Sequence, residues 1–127
     1  MSTLKADTIQ STGGGAATLT KQSAAKAFAL WNSASTPAYR GSFNMGSITD
    51  HGTGDQTVAF VASMANANFT TSGQVGNGND GDASNAQMRR GSSATGSQRC
   101  TIQFATSASN ANYDYTYVSL VIHGDLA

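Results

Sequence analysis

Residues 42–69 read SFNMGSITDHGTGDQTVAFVASMANANF and contain two β-favouring segments with a turn between them. Ile48 and Thr49 precede the turn, and residues 57–60 resume the β-favouring pattern after it. The intervening DHGTGD, residues 50–55, supplies glycines that can adopt positive φ and an Asp that can cap its own backbone. The stretch therefore predicts a β-hairpin. Because an isolated hairpin is barely stable in water, further strands or further chains must be added to it.

A related segment occurs later in the chain. Residues 57–69 match residues 101–113 at a constant offset of 44 residues, with identical or similar side chains at eight of 13 positions. A structural repeat predicts that Phe60 and Phe104 occupy equivalent, buried positions. The alternative is that two unrelated strands end in similar Asn-rich turns.

The composition restricts the class of protein. Charged residues make up 11% of the 127 residues, the formal net charge is zero, and the chain contains 16 Ser and 15 Thr. A nucleic-acid-binding protein would need a basic face, and a disordered chain would be more highly charged. This composition is typical of β-rich virion and adhesin-type proteins, in which backbone hydrogen bonds and intersubunit packing replace a large apolar core.

Before Pro37, residues 20–32 show apolar side chains at helical spacing, and they predict a short N-terminal helix. Its stripe of Ala and two aromatic residues is narrow. We expect it to pack against copies of itself on a threefold axis; packing on its own domain is the alternative.

Near the C-terminus, residues 113–122 alternate as a strand that becomes apolar on both faces, which predicts burial against a neighbouring subunit. The candidate trimer interface comprises Ala24, Phe28, Trp31, Val118, Leu120 and Ile122. The tyrosine face of the last strand could instead stack on sugar rings.

Residues 72–86 are rich in Gly, Asn and Asp and predict an exposed loop, followed by an edge-like segment at 87–90 and a second loop at 92–97. Two cations next to exposed amides suit an acidic glycan or a lipopolysaccharide phosphate. The candidate receptor contacts are Asn77, Asn79, Asp80, Asp82, Arg89 and Arg90. An inert connecting loop is the alternative.

The sequence supplies no catalytic, cofactor or metal site that we can assign. All seven acidic residues are Asp, and most lie in or beside turns, where capping explains them better than a glycosidase carboxylate pair. Cys100 is alone and has no recognisable base, so a structural thiol is expected. His51 and His123 lack further ligands nearby in sequence, and residues 77–82 depart from calcium-loop spacing. Residues 1–20 lack a secretory signal, and no segment is apolar enough to insert into a membrane.

A family resemblance is carried by four segments: SFN at 42–44, the SITDxGTGDxTVxF core at 47–60, MxxANF at 64–69 and the closing segment at 117–125. The chain resembles short tail-fibre-like proteins and fibre C-terminal domains of tailed bacteriophages, particularly marine ones. The opening MSTLKADTIQ is similar to the start of many such proteins. His51 and Gln56 depart from the family pattern, in which Asn and an aromatic residue are common at these positions.

The resemblance implies a virion protein, not an enzyme, that assembles as a homotrimer without cofactors. Residues 1–36 would dock to other virion proteins, and residues 37–127 would form an outward-facing β domain for host attachment, with a host surface glycan or lipopolysaccharide as a possible partner. A capsid decoration or head-fibre protein, or a tail-associated structural protein with no receptor-binding role, is the alternative. The expected fold is mainly β: an antiparallel β-sandwich-like domain with a short N-terminal helix, assembled as a threefold homotrimer that binds no nucleic acid.

Overall fold

The computed structural model describes residues 12–13, 24–76, 86–105 and 110–127. These residues form nine strands and no helix, so none of their segments is a helix long and apolar enough to cross a membrane. The strands are β1 (Ala27–Asn32), β2 (Ala38–Phe43), β3 (Met45–Gly52), β4 (Asp55–Phe60), β5 (Thr70–Gly76), β6 (Ala86–Ala94), β7 (Ser97–Ala105), β8 (Asn110–Asn112) and β9 (Tyr117–His123).

The strands form two antiparallel sheets. The four-stranded sheet has the order β2-β1-β9-β5. The five-stranded sheet has the order β3-β4-β7-β6, and β8 pairs with the end of β7. Apolar side chains from both sheets share one buried core, including Trp31 and Leu120 from the first and Val58 and Ile102 from the second. The mainly β class with antiparallel strands is confirmed, and the common core is what a sandwich-like arrangement requires.

The predicted helix is wrong for Ala27–Asn32, which form β1. Ala27, Ala29 and Trp31 are buried while Phe28 is exposed, which is the two-residue period of a strand. Pairing of β1 with both β2 and β9 satisfies its backbone and overrides the helical preference of its alanines. Residues 14–23 of the N-terminal segment, which include the start of the predicted helix, lie outside the described residues, as do residues 1–11. The role of residues 1–36 as a docking segment stays a prediction.

The predicted hairpin is confirmed as β3 and β4. Gly52 and Gly54 have φ values of 123° and 62°, and the Gly52 N–H donates to Asp50 Oδ1 over 3.0 Å. At Gly54 a side chain would also collide with the backbone of Ile102 and Tyr113. Glycine is therefore required at this position both for its conformation and for the close approach of the neighbouring chain.

Asn44 is the corner at which the chain passes from one sheet to the other. It lies between β2 and β3 with a φ of 55°. Its side-chain amide donates to the carbonyls of Lys26 and Ala62, each over 3.0 Å, and its Oδ1 accepts from Ala62 N–H over 2.6 Å. Asn tolerates positive φ better than most residues, and here its side chain also fastens β1 to the end of β4.

The two segments of the predicted repeat are adjacent antiparallel strands, β4 and β7. Gln56 lies opposite Cys100, and these two residues are also equivalent at the offset of 44. Asp55 pairs with Thr101 and Thr57 with Arg99, so the pairing of the two strands is symmetric about Gln56 and Cys100. The prediction of equal burial is wrong, because Phe60 is 8% exposed whereas Phe104 is only half-buried. Beyond the strands the segments diverge, since residues 65–67 form a bend and Asn110–Asn112 form β8.

The strand predicted at 113–122 begins only at Tyr117, and from there it alternates as predicted. Val118, Leu120 and Ile122 are fully buried in β9, between β1 and β5. Together with Trp31 they lie in the core of a single chain, so the burial that we assigned to a trimer interface is supplied by the chain's own second sheet. Of the other residues in that predicted interface, Ala24 and Phe28 are exposed.

The predicted loops are shorter than expected. Thr70–Gly76 form β5, which pairs along its length with β9, so residues 72–76 belong to a strand and not to a loop. The predicted second loop at 92–97 is the end of one hairpin, with a turn only at Thr95 and Gly96. Residues 77–85 lie outside the described part of the chain. The edge-like character of 87–90 is confirmed in the described residues, where β6 pairs only with β7.

The unequal burial of the two phenylalanines gives a stability prediction. Phe60→Ala should lower the free energy of unfolding by about 3–5 kcal/mol, because it opens a cavity in a filled core. Phe104→Ala should cost clearly less, because its ring is already partly in water. Urea unfolding of both variants measures the difference; equal losses would contradict the burial that the structure assigns to them.

Candidate functional site

A polar cleft of about 350 Å³ lies where β5 begins and β9 ends. Thr70 and His123 face each other across these two strands as the first pair of their register. The lining residues are Asn66, Asn68, Phe69, Thr70, His123, Gly124 and Asp125. The cleft therefore combines the bend that follows β4 with the segment that follows β9.

Backbone hydrogen bonds hold these two segments together. Ala65 N–H donates to the Asp125 carbonyl over 2.8 Å, and Ala127 N–H donates to the Ser63 carbonyl over 3.0 Å. Met64 and Leu126 form an isolated antiparallel bridge between them. The C-terminal residues thus fix one wall of the cleft against the other.

The Asn-rich bend is shaped by its own side chains. Asn66 Oδ1 accepts a hydrogen bond from Asn68 N–H over 2.8 Å, which is the Asx turn that Asn forms readily. Both residues are exposed at the surface of the chain. The bend therefore presents two amide side chains at the mouth of the cleft.

Phe69 forms the apolar wall. Its ring is 3% exposed and packs edge-to-face on Phe60 with the ring centroids 5.7 Å apart. At Gly124 an added Cβ would lie 2.8 Å from Phe69 Cβ, so a larger residue there would push the wall away. The cleft depends on a small residue at position 124.

Arg90 braces the bend from outside. Its guanidinium carbon lies 5.3 Å from the centroid of the Phe69 ring, and its Nη2 donates to the Ala67 carbonyl over 3.1 Å. Its Nε donates to Ser93 Oγ over 2.8 Å. Three interactions on one exposed side chain order it and fix the position of residues 67–69.

The predicted receptor contacts separate in the structure. Arg90 lies next to the cleft, whereas Arg89 donates to Gln103 Oε1 over 3.3 Å on β7. Asn77, Asn79, Asp80 and Asp82 lie outside the described residues. The structure therefore brings Arg90 to a concave surface that the sequence did not indicate. The repeat had drawn attention to Asn66 and Asn68, but no local signal in the sequence joins them to Asp125.

The cleft can make many hydrogen bonds. Carboxylate oxygens of Asp125 accept, the Asn66 and Asn68 amides both donate and accept, and the Thr70 hydroxyl does either. The imidazole of His123 lies at the same surface. Of the described residues that line the cleft, Asp125 is the one acidic residue, and none is Lys or Arg. Such a set of groups is matched to a ligand with several hydroxyl groups.

The titratable groups with shifted pKa values lie elsewhere. A bidentate pair joins Arg99 to Asp55, with Nε to Oδ1 at 2.7 Å, and the hydrogen bonds from Arg99 hold the pKa of Asp55 below its usual range. Burial raises the pKa of the Cys100 thiol to about 12, which keeps it protonated at neutral pH. Burial also raises the pKa of Tyr39 to about 12. In the described ranges no three His, Cys, Asp or Glu side chains form a group that could hold a metal ion.

A second surface, the outer face of the four-stranded sheet, is apolar. Phe28 and Phe43 stack with their centroids 6.1 Å apart and are 43% and 54% exposed. Arg40 lies 4.4 Å above the ring centroid of Tyr117, which is 41% exposed. Half-buried Leu30 and Val121 lie between these aromatic residues in the pairing register. We refer to Phe28, Leu30, Phe43, Tyr117 and Val121 as the outer apolar face.

The bracing role of Arg90 is testable. Arg90→Ala should increase the hydrogen-exchange rate of the amides at 66–69 several-fold, because it removes the contacts to Phe69 and Ala67. Arg89→Ala is the matched control, since Arg89 is the neighbouring cation on the same strand and bonds only to Gln103 among described residues. Mass spectrometry or NMR measures the exchange. Equal exchange rates at 66–69 in the two variants would contradict the bracing role of Arg90.

Comparison of the chain with protein-family models, with curated proteins and with solved structures found no match in any of the three.

Proposed function

We propose that this chain is a bacteriophage virion structural protein of the tail-fibre-like kind, which assembles as a homotrimer and contributes to host attachment. The observation that carries the proposal is the outer apolar face, whose three aromatic side chains are exposed in the described part of the chain. The family resemblance of residues 42–69 and 117–125 supplies the virion context. The β-rich fold and the low charge are compatible with self-association and with a virion protein.

The outer apolar face has the composition of an interface. It brings three aromatic side chains onto one side of one sheet, each more than two-fifths exposed. Aromatic residues and Arg are enriched where protein surfaces meet, and contiguous exposed apolar patches mark interaction sites. Arg40 above Tyr117 extends this surface with a cation that can remain hydrated at its rim.

This face takes the place of the interface that the sequence suggested. Trp31, Val118, Leu120 and Ile122 are occupied in the core of one chain, so a charge at any of them would unfold the chain instead of separating subunits. Ala24 and Phe28 are the members of that predicted set that remain on the surface, and Phe28 is the large apolar one. In the proposed homotrimer, Phe28 and Phe43 of each chain contact the neighbouring chains.

The roles that we propose for the remaining parts of the chain follow from the family resemblance. The N-terminal segment docks to other virion proteins, and the β domain faces outward on the particle, where the cleft is accessible to the host surface. Three copies of the cleft give avidity to single sites of low affinity.

A capsid decoration or other tail-associated structural protein is the second candidate. The outer apolar face favours it equally, because such a protein needs only self-association and contact with the particle. Immunogold labelling of purified particles separates the two: labelling at the tail tip supports attachment, labelling over the capsid supports decoration, and unlabelled particles contradict both.

Self-association is tested on the isolated chain. Light scattering coupled to size exclusion should give about three times the 13.0 kDa chain mass. Phe28→Asp should shift the chain towards the monomer, because assembly would bury an unpaired charge in each subunit. Val61→Asp is the matched control, since Val61 is 75% exposed and lies outside the outer apolar face.

A folded wild-type monomer at all concentrations would contradict the proposed trimer. Equal effects of the two aspartate variants would show that chains associate through some other surface.

A further inference from the structure

We infer that the polar cleft between the Asn-rich bend and the C-terminal segment binds an uncharged saccharide. The carbohydrate's part in attachment rests on the proposed function, whereas the binding itself rests on the cleft alone. Three observations carry the inference: the donor and acceptor set, the charge of the lining and the size of the cleft.

The donor and acceptor set suits neighbouring hydroxyl groups. Each sugar hydroxyl donates one hydrogen bond and accepts others, so it is best matched by a carboxylate that accepts beside an amide that donates. Asp125 and Asn68 provide these two groups, and Asn66 and Thr70 extend the set along the same surface. Hydrogen bonds to a charged acceptor are the stronger ones, which gives Asp125 the leading role.

The charge of the lining disfavours acidic sugars, since Asp125 is the one carboxylate among the described lining residues and His123 is the one basic side chain. An acidic saccharide or a phosphate would lie against the Asp125 carboxylate, and no described lining residue is a Lys or Arg that could neutralise it. Arg90, which contacts the Phe69 wall, is engaged with the Phe69 ring, the Ala67 carbonyl and Ser93. The structure therefore favours a neutral glycan over the acidic glycan or lipopolysaccharide phosphate that the sequence suggested for Arg89 and Arg90.

The size of the cleft limits the ligand. Its volume of about 350 Å³ is near the lower end of small-molecule sites, which span about 300–1,000 Å³. It accommodates one or two sugar rings, not a long polymer. Phe69 backs the cleft but is only 3% exposed, so hydrogen bonds from the polar lining residues would hold the ligand. An open site of this size should bind a single sugar with a dissociation constant in the millimolar range.

The test is an NMR titration of the full chain labelled with ¹⁵N. The probes are the methyl glycosides of glucose, galactose, mannose and N-acetylglucosamine, with glucuronic acid and glucose 6-phosphate as charged comparators. We expect at least one neutral glycoside to shift the amide signals of residues 66–70 and 123–125, and the charged comparators to shift them less.

Variants test the assignment of the groups. Asn68→Ala should weaken the binding at least about tenfold, since it removes the amide that bonds the ligand. Asp125→Asn should also weaken it at least about tenfold, because it replaces the charged acceptor by a weaker neutral one. Asn112→Ala is the matched control: Asn112 is the equivalent of Asn68 at the offset of 44, but it lies in β8 and accepts from Gln103. It should leave the binding unchanged. The spectrum of each free variant shows whether it is folded, and Asp125→Asn retains the shape of the side chain.

Stronger binding of the charged comparators, shifts confined to other residues, or no shift with any neutral glycoside would overturn the inference. Those results would leave the proposed trimer and virion location standing, because they are measured by light scattering and by labelling of particles. Conversely, a sugar-binding chain that is absent from particles would contradict the proposed function and leave the cleft's ligand class intact.

Discussion

A hydrogen bond in the middle of the core holds the two sheets in register. Trp31 Nε1, on the four-stranded sheet, donates to Gln56 Oε1, on the five-stranded sheet, over 2.7 Å, and both side chains are fully buried. Ser33 extends the contact, since its carbonyl accepts from Gln56 Nε2 over 3.4 Å and its hydroxyl bonds to the backbone of Tyr115. A buried amide without partners would be costly, so this network specifies which face of β1 turns inward.

The two candidate surfaces follow from that choice. With Trp31 inside, the alternation of β1 places Phe28 outside, where it stacks on Phe43 and begins the outer apolar face. The second surface, the polar cleft, depends on the C-terminal segment that follows the buried β9. Its hydrogen bonds to residues 63–65 join the segment after β9 to the segment after β4 and shape the concave surface beside Phe69. One surface is apolar and suited to another copy of the chain; the other is polar and suited to a small hydroxylated ligand.

Sequence reasoning succeeded where the signal was local. The turn formers at 50–55 predicted the hairpin, and alternation predicted that Val118, Leu120 and Ile122 share one face of β9, although only that face is fully buried. It failed at β1, because the Ala-rich segment has helical spacing and its strand conformation depends on β2 and β9, which lie far along the chain. The cleft was missed for the same reason: Asn68, Arg90 and Asp125 are separated in sequence, and only folding brings their segments together.

The most direct measurement is a double-mutant cycle of Trp31→Phe and Gln56→Leu, followed by urea unfolding. Each single variant leaves one buried polar group without its partner and should lower the free energy of unfolding by about 1–3 kcal/mol. The double variant removes both groups, so its loss should fall short of the sum of the single losses by at least about 0.5 kcal/mol. Strictly additive losses would show that the Trp31–Gln56 hydrogen bond does not hold the sheets together.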